Sequence, residues 1–175
     1  MNPLQPGAQI HTSDPFATRE QDKSPVRRFR GRLGAAVTLW TTPGPAGLTV
    51  SSMLVADGEP GRVFGVVDAE SDFWDAVRET RRFAVVLLSD HDQQLADRFA
   101  GLMPAPGGPF ATGEWLETEY GPVPRRAGTW AGCRLAGDRP AGWALLVEAM
   151  IETVRLDDPP VPLLHFRGRY RRLAT

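Results

Sequence analysis

The run Gly47-Leu48-Thr49-Val50-Ser51-Ser52-Met53-Leu54-Val55-Ala56 constrains this chain more than any other segment. It sets three hydroxyls inside what otherwise reads as an apolar, β-prone strand. Successive side chains of a strand point to opposite faces, so Thr49 and Ser51 are expected on one face and Val50 and Ser52 on the other. A buried hydroxyl without a partner costs on the order of 1–3 kcal/mol. Two arrangements relieve that cost. The hydroxyls donate to neighbouring carbonyls, or they face a polar ligand and make this strand the floor of a site.

At 175 residues the chain can bury one real core. Residues 1–25 mix Pro, Gln, Gly, Ser, Thr and charge without periodicity, and read as a flexible tail before a single domain over 26–175. The net charge is −1 and no compact Lys/Arg patch with interleaved aromatics stands out, so nucleic acid is not an expected partner. No apolar run approaches the roughly 20 residues that span a bilayer. The N-terminus has neither a basic start nor an apolar signal core, so no membrane association and a cytoplasmic location are expected. Cys133 is the only cysteine and reads as a small buried apolar residue. His11, His91 and His165 have no ligand-like spacing, which argues against a metal centre. Lys23 is the sole lysine and falls in the tail, which argues against Schiff-base chemistry.

The periodicity predicts a short basic helix over 26–34, with Phe29 and Leu33 on one face. Strands are expected over Ala35–Thr42, through the hydroxyl run, and over Arg62–Val67, separated by Pro- and Gly-rich turns. A helix follows over Ser71–Thr80, capped by Ser71 or Asp72. Phe83–Leu88 is an apolar strand, after which Ser89-Asp90 caps a helix carrying Leu95 and Phe99 and ended by Gly101. The Pro- and Gly-rich loop 102–113 bears Phe110 and reads equally as a lid or an inert excursion. The last third returns to strands over Thr129–Leu135, Trp143–Arg155, Leu163–Arg167 and Arg169–Leu173. The expected class is mainly β: a closed antiparallel barrel with short helices.

This order of pieces resembles the flavin reductase-like, FMN-binding split-barrel family over about Arg28 to Leu173. The pieces are Phe29-Arg30-Gly31-Arg32-Leu33-Gly34, Val37-Thr38-Leu39-Trp40-Thr41-Thr42, Gly47 to Met53 and Val66-Val67-Asp68-Ala69-Glu70-Ser71. They continue with Arg82 to Leu88, Leu95-Ala96-Asp97-Arg98-Phe99-Ala100-Gly101 and Pro162 to Tyr170. No single piece is specific; their co-linear order carries the resemblance.

The resemblance implies a homodimeric split barrel that binds FMN, or FAD, and reduces it with NADH or NADPH, with a flavin-dependent oxygenase as a further partner. Thr49, Val50, Ser51, Ser52 and Met53 would line the flavin. Asp68 matches a family position before the first helix, and Ser71 a position that meets the phosphate. Phe99 and Ala100 match a segment that closes over the site. No side chain is required as acid, base or nucleophile, because the cofactor carries the redox chemistry.

The chain departs from the family's pattern at two places. Ala69 and Glu70 stand where a basic residue often follows the aspartate, and a carboxylate there would repel a phosphate. Gly137-Asp138-Arg139 matches a glycine-aspartate-histidine piece with arginine in place of histidine, so Arg139 would grip a nucleotide phosphate. Tyr170, on the closing strand, would approach the nicotinamide. These departures leave two alternatives to a reductase: a flavin- or deazaflavin-binding protein without NAD(P)H turnover, and a barrel that has become an interaction module.

Overall fold

The structure, a computed structural model, describes residues 24–157 and 161–173. The tail expected over 1–25 lies outside the described residues except at its end. There Ser24 caps the first helix, accepting from the Arg27 amide, and Pro25 opens it, where a missing N–H costs nothing.

The elements are α1 (Pro25–Arg30), β1 (Ala35–Ala36), β2 (Thr38–Thr41), β3 (Gly47–Val50), β4 (Met53–Ala56), β5 (Arg62–Val67), α2 (Asp72–Thr80) and β6 (Arg82–Leu87). After these come α3 (Gln93–Phe99), β7 (Trp115–Leu116), β8 (Val123–Pro124), β9 (Trp130–Ala141), β10 (Ala144–Arg155), β11 (Leu164–Phe166) and β12 (Arg169–Arg171). Seven strands form one antiparallel sheet in the order β3-β2-β6-β9-β10-β5-β4. Its two edge strands are consecutive in the chain, joined only by Ser51 and Ser52. Two linking residues reach about 10 Å at most, so the sheet must curl until its edges meet. The barrel is therefore split along a seam at these two serines.

Two cores lie on either side of β2, whose four residues are all buried. One fills the barrel: Trp40 stacks on Phe83 with ring centroids 4.9 Å apart, Phe73 of α2 meets both edge-on, and Val63, Val147 and Leu135 close around them. The other lies outside it, where Leu39 and Val86 pack under Phe99 of α3, Val123 and Leu163. A strand covered on both faces reads as a continuous apolar run, which is why periodicity alone did not separate the two cores.

Several expectations are corrected. The hydroxyl run is two strands, not one, and the shared face expected for Thr49 and Ser51 is lost at the seam. Ala35–Thr42 is likewise divided: β1 belongs to a small sheet with β11 and β12, while β2 joins the barrel. Ser89-Asp90 does not cap α3. Asp92 holds the cap position, and its carboxylate turns away to accept from Ser89 and Arg126. The arms of the β9–β10 hairpin run on to Ala141 and Ala144, so Gly137-Asp138-Arg139 is strand and the turn falls on Gly142-Trp143, with Gly142 at φ 62°. Finally, a compact basic patch does exist. Residues 24–37 and 161–173 come together through β1–β11 pairing and bring arginines from both ends of the domain to one rim. A contiguous scan misses it because its halves are far apart in the chain.

Candidate functional site at the barrel seam

The hydroxyls around the seam divide by role. Thr38 of β2 donates to the Val50 carbonyl at 2.7 Å, and the Thr49 hydroxyl donates to the Ala96 carbonyl of α3 at 2.7 Å. Ser52 donates to the Val66 carbonyl at 2.8 Å and accepts the Val66 amide on its own carbonyl at 2.9 Å. Thr49 and Ser52 thus satisfy neighbouring carbonyls. Ser51 does not: it is half-buried, and its hydroxyl makes no hydrogen bond among the described residues. The Ser51 and Ser52 amides donate to no backbone carbonyl among those residues either. Among the described residues, this half-buried kink thus leaves a hydroxyl and two N–H groups with their hydrogen-bonding capacity unused.

Ser52's two bonds to Val66 fix what lies beside the seam. β5 ends one residue later, and Asp68 to Ser71 form the turn into α2. The Asp68 carboxylate accepts from the Glu70 amide at 2.9 Å; the Ser71 hydroxyl donates to the Asp68 carbonyl at 2.7 Å and accepts from the Trp74 amide at 3.2 Å. Ser71 is therefore occupied as a helix cap, its one proton already given. Asp72 and Asp75 in the first turn, together with exposed Glu70, make this a poor setting for a phosphate.

The remaining predicted residues fall around this centre. Val50 is buried in the barrel core and Met53 packs against it. Phe99 is 5% exposed, stands edge-on to Phe110 and Trp115, and belongs to the outer core; the exposed Ala100 ends α3 beside it. Phe110 thereby pins the loop 102–113 to α3. Arg139 pairs across β10 with Leu146, which pairs with Val66, so Arg139 stands in the same cross-strand row as Ser52. It is exposed and forms no ion pair among the described residues. Tyr170 packs on the outer core and hydrogen bonds to Asp97, which is 1% exposed. Burial, then the Asp97 charge, hold the Tyr170 phenol well above its ordinary range, so it stays protonated.

A cavity of about 690 Å³ lies on another flank of α3, lined by Gln94, Arg98, Trp115, Arg125 and Arg126. None of the seam residues borders it. The seam itself had a signal in the sequence: two adjacent serines, weak strand formers that compete for backbone partners, in the middle of a β-branched run.

Comparison with known proteins agrees with this architecture. The family model described as "Flavin reductase like domain" matches residues 30–174. An FMN reductase (NADH) RutF from Variovorax paradoxus is 29% identical over 159 residues, covering 87% of each chain. Among solved structures, the NADH:FAD oxidoreductase SgcE6 of Streptomyces globisporus superposes with a TM-score of 0.80 at 23% identity, over 91% of this chain and 98% of that one. A nitrilotriacetate monooxygenase component B homologue from Mycobacterium thermoresistibile gives 0.77 at 25%, over 85% of each. With the matched residues spanning nearly all of the described fold, the chain belongs to the flavin reductase-like domain family.

Proposed function

We propose that this chain is a flavin reductase that binds FMN, or FAD, against the Ser51–Ser52 seam and brings NADH or NADPH to it. The observation that carries the reading is the open kink: one hydroxyl and two amides without partners among the described residues, at half-buried Ser51 and Ser52 between the edge strands of the barrel. A planar heterocycle with carbonyl and imine acceptors suits such donors. The names of similar proteins support it, since FMN reductase (NADH) recurs among them and one solved neighbour is an oxidoreductase in complex with NAD and FAD fragments.

A bound flavin supplies the two-electron redox chemistry. The chain's own residues position it. Ser51 and the seam amides orient the ring; Thr49, by anchoring α3 to β3, and Ser52, by anchoring the seam to β5, keep those donors in place. Val50 and Met53 back the seam with apolar side chains. Arg139 meets a nucleotide phosphate from its exposed place in the Ser52 row, and Asp68 and Ser71 shape the neighbouring turn. Phe99 and Ala100 end the helix that Thr49 anchors to β3, and Tyr170 steadies that helix by its hydrogen bond to Asp97.

The functional unit in this reading is a homodimer. Leu54 pairs with Phe64 and Val66 with Leu146 on the face of the sheet opposite the barrel core, and Leu54 is 58% exposed, an apolar face suited to a second copy. The reduced flavin passes to a partner oxygenase, and the protein works in the cytoplasm. The test is the visible spectrum of the protein with FMN, followed by NADH or NADPH without air. Bleaching by one nucleotide supports the proposal. A chain that ignores FMN, or a yellow complex indifferent to both nucleotides, sinks it.

A further inference from the structure

The basic rim has an use that the seam does not explain. The Arg167 amide donates to the Gly31 carbonyl at 2.7 Å, and Ala35 and Ala36 pair with His165 and Leu164. This joins α1 to the β11–β12 turn. One side contributes Arg27, Arg28, Arg30 and Arg32, the other Arg167, Arg169, Arg171 and Arg172, all exposed. Residues 24–37 and 161–173 contain no Asp or Glu, in a chain whose net charge is −1. Arg172 is met by Asp90 at 3.1 Å. Arg28, Arg30, Arg32, Arg167, Arg169 and Arg171 form no ion pair among the described residues.

Charge is not the rim's only feature. Val26, Phe29 and Leu33 are 77%, 68% and 58% exposed, although they sit on or just after a helix whose residues are all exposed. Phe166 and Leu173 add further apolar surface. We infer that this rim docks a protein partner through an acidic surface that carries apolar side chains among its carboxylates.

Arginine and aromatic residues together are the composition enriched at protein interfaces, and guanidinium groups meet carboxylates in bidentate fashion. A second copy is disfavoured as the occupant, because a two-fold contact would press the same arginines against one another. A small phosphate ligand is disfavoured because the arginines are spread, all exposed, over a rim built from both ends of the domain. Nucleic acid would use the charges and leave Val26 and Leu33 in water.

The probe is a fluorescein-labelled acidic peptide with leucine and phenylalanine spaced among glutamates, titrated by anisotropy at physiological salt against the full chain. Two variants accompany it, R28E/R30E/R169E and F29S/L33S; among the described residues the three arginines form no ion pair, and Phe29 and Leu33 belong to neither core. A more than tenfold loss of peptide binding in the first variant and at least threefold in the second, with unchanged circular dichroism and FMN affinity, is the expected result. Retained binding in either variant overturns the inference. So does a DNA duplex of equal charge that displaces the peptide and is insensitive to F29S/L33S, since that assigns the rim to nucleic acid. A change of oligomeric state in R28E/R30E/R169E, measured by light scattering, overturns it in favour of a second copy. FMN binding is read separately, so failure here leaves the seam untouched.

Discussion

Gly47 and Phe99 occupy one space: a Cβ built on Gly47 would stand 2.6 Å from Phe99 Cε1 and 3.2 Å from the Trp40 carbonyl. The absence of a side chain at the head of β3 is what lets α3 lie against the barrel. Phe99 is held from behind by Phe110 and Trp115, with ring centroids 4.7 and 5.9 Å away, so it cannot swing clear. Gly47→Ala is expected to cost about 1–3 kcal/mol by overpacking, read as a lower urea midpoint at unchanged m-value. A variant as stable as the parent would show that α3 is only loosely placed.

The Thr49 hydroxyl makes the second tie between these elements, donating to the Ala96 carbonyl at 2.7 Å. Thr49→Val keeps shape and strand propensity but removes the donor, at a cost of about 1–2 kcal/mol. Thr49→Ser restores the donor and should recover most of it. Amide hydrogen exchange in α3 is the sharper readout, because loss of this one bond should speed exchange there and leave β9 and β10 unaffected.

The strand content and the order of elements were legible because they rest on local signals. Ser71 at a helix N-cap, Gly101 at φ 70° after α3, and the apolar Phe83–Leu88 run, which the structure makes the strand Arg82–Leu87, each announce themselves within a few residues. What stayed hidden was set by distant contacts. Nothing near Ser51 says that β3 and β4 occupy opposite edges of one sheet, since only barrel closure makes them neighbours. Nor does the sequence around Tyr170 reveal Asp97. The full length of β9, beyond the Leu135 expected as its end, is hidden for a different reason. Gly137 and Pro140 look like turn residues, yet the long β9 arm accommodates them at its exposed end, with a register shift opposite Glu148 and Ala149.

Cys133 gives a prediction in alkaline solution. It is buried, and desolvation, reinforced by the Glu152 charge, pushes its thiol up to about 12. In the unfolded chain it ionises near 8.5–9. The folded pKa is the higher one, so its contribution to stability is complete below about pH 9 and is lost as pH rises from there toward 12. Cys133→Ala should flatten that part of the stability profile between pH 8.5 and 10, before the tyrosines titrate. At pH 8 the folded parent should resist a thiol reagent that labels it rapidly in urea; rapid labelling of the folded protein would place Cys133 at the surface.

Ser51 and Ser52 adjoin in the chain and should separate cleanly in their effects. Ser52 donates to the Val66 carbonyl, so Ser52→Ala removes a bond that ties β4 to β5 and should cost about 1 kcal/mol of stability. Ser51 has no partner among the described residues, so Ser51→Ala should leave the urea midpoint within about 0.5 kcal/mol of the parent. For FMN the order reverses. Ser51→Ala loses a donor to the ligand, about fivefold to tenfold in Kd by the ordinary value of one hydrogen bond, and Ser51→Leu blocks the groove outright while the fold persists. Isothermal titration with FMN and urea unfolding on the same three variants decide the matter. If Ser51→Leu binds FMN as the parent does, the pocket lies elsewhere; if Ser51→Ala is the less stable of the two alanine variants, its hydroxyl supports the barrel and the seam is not a binding site.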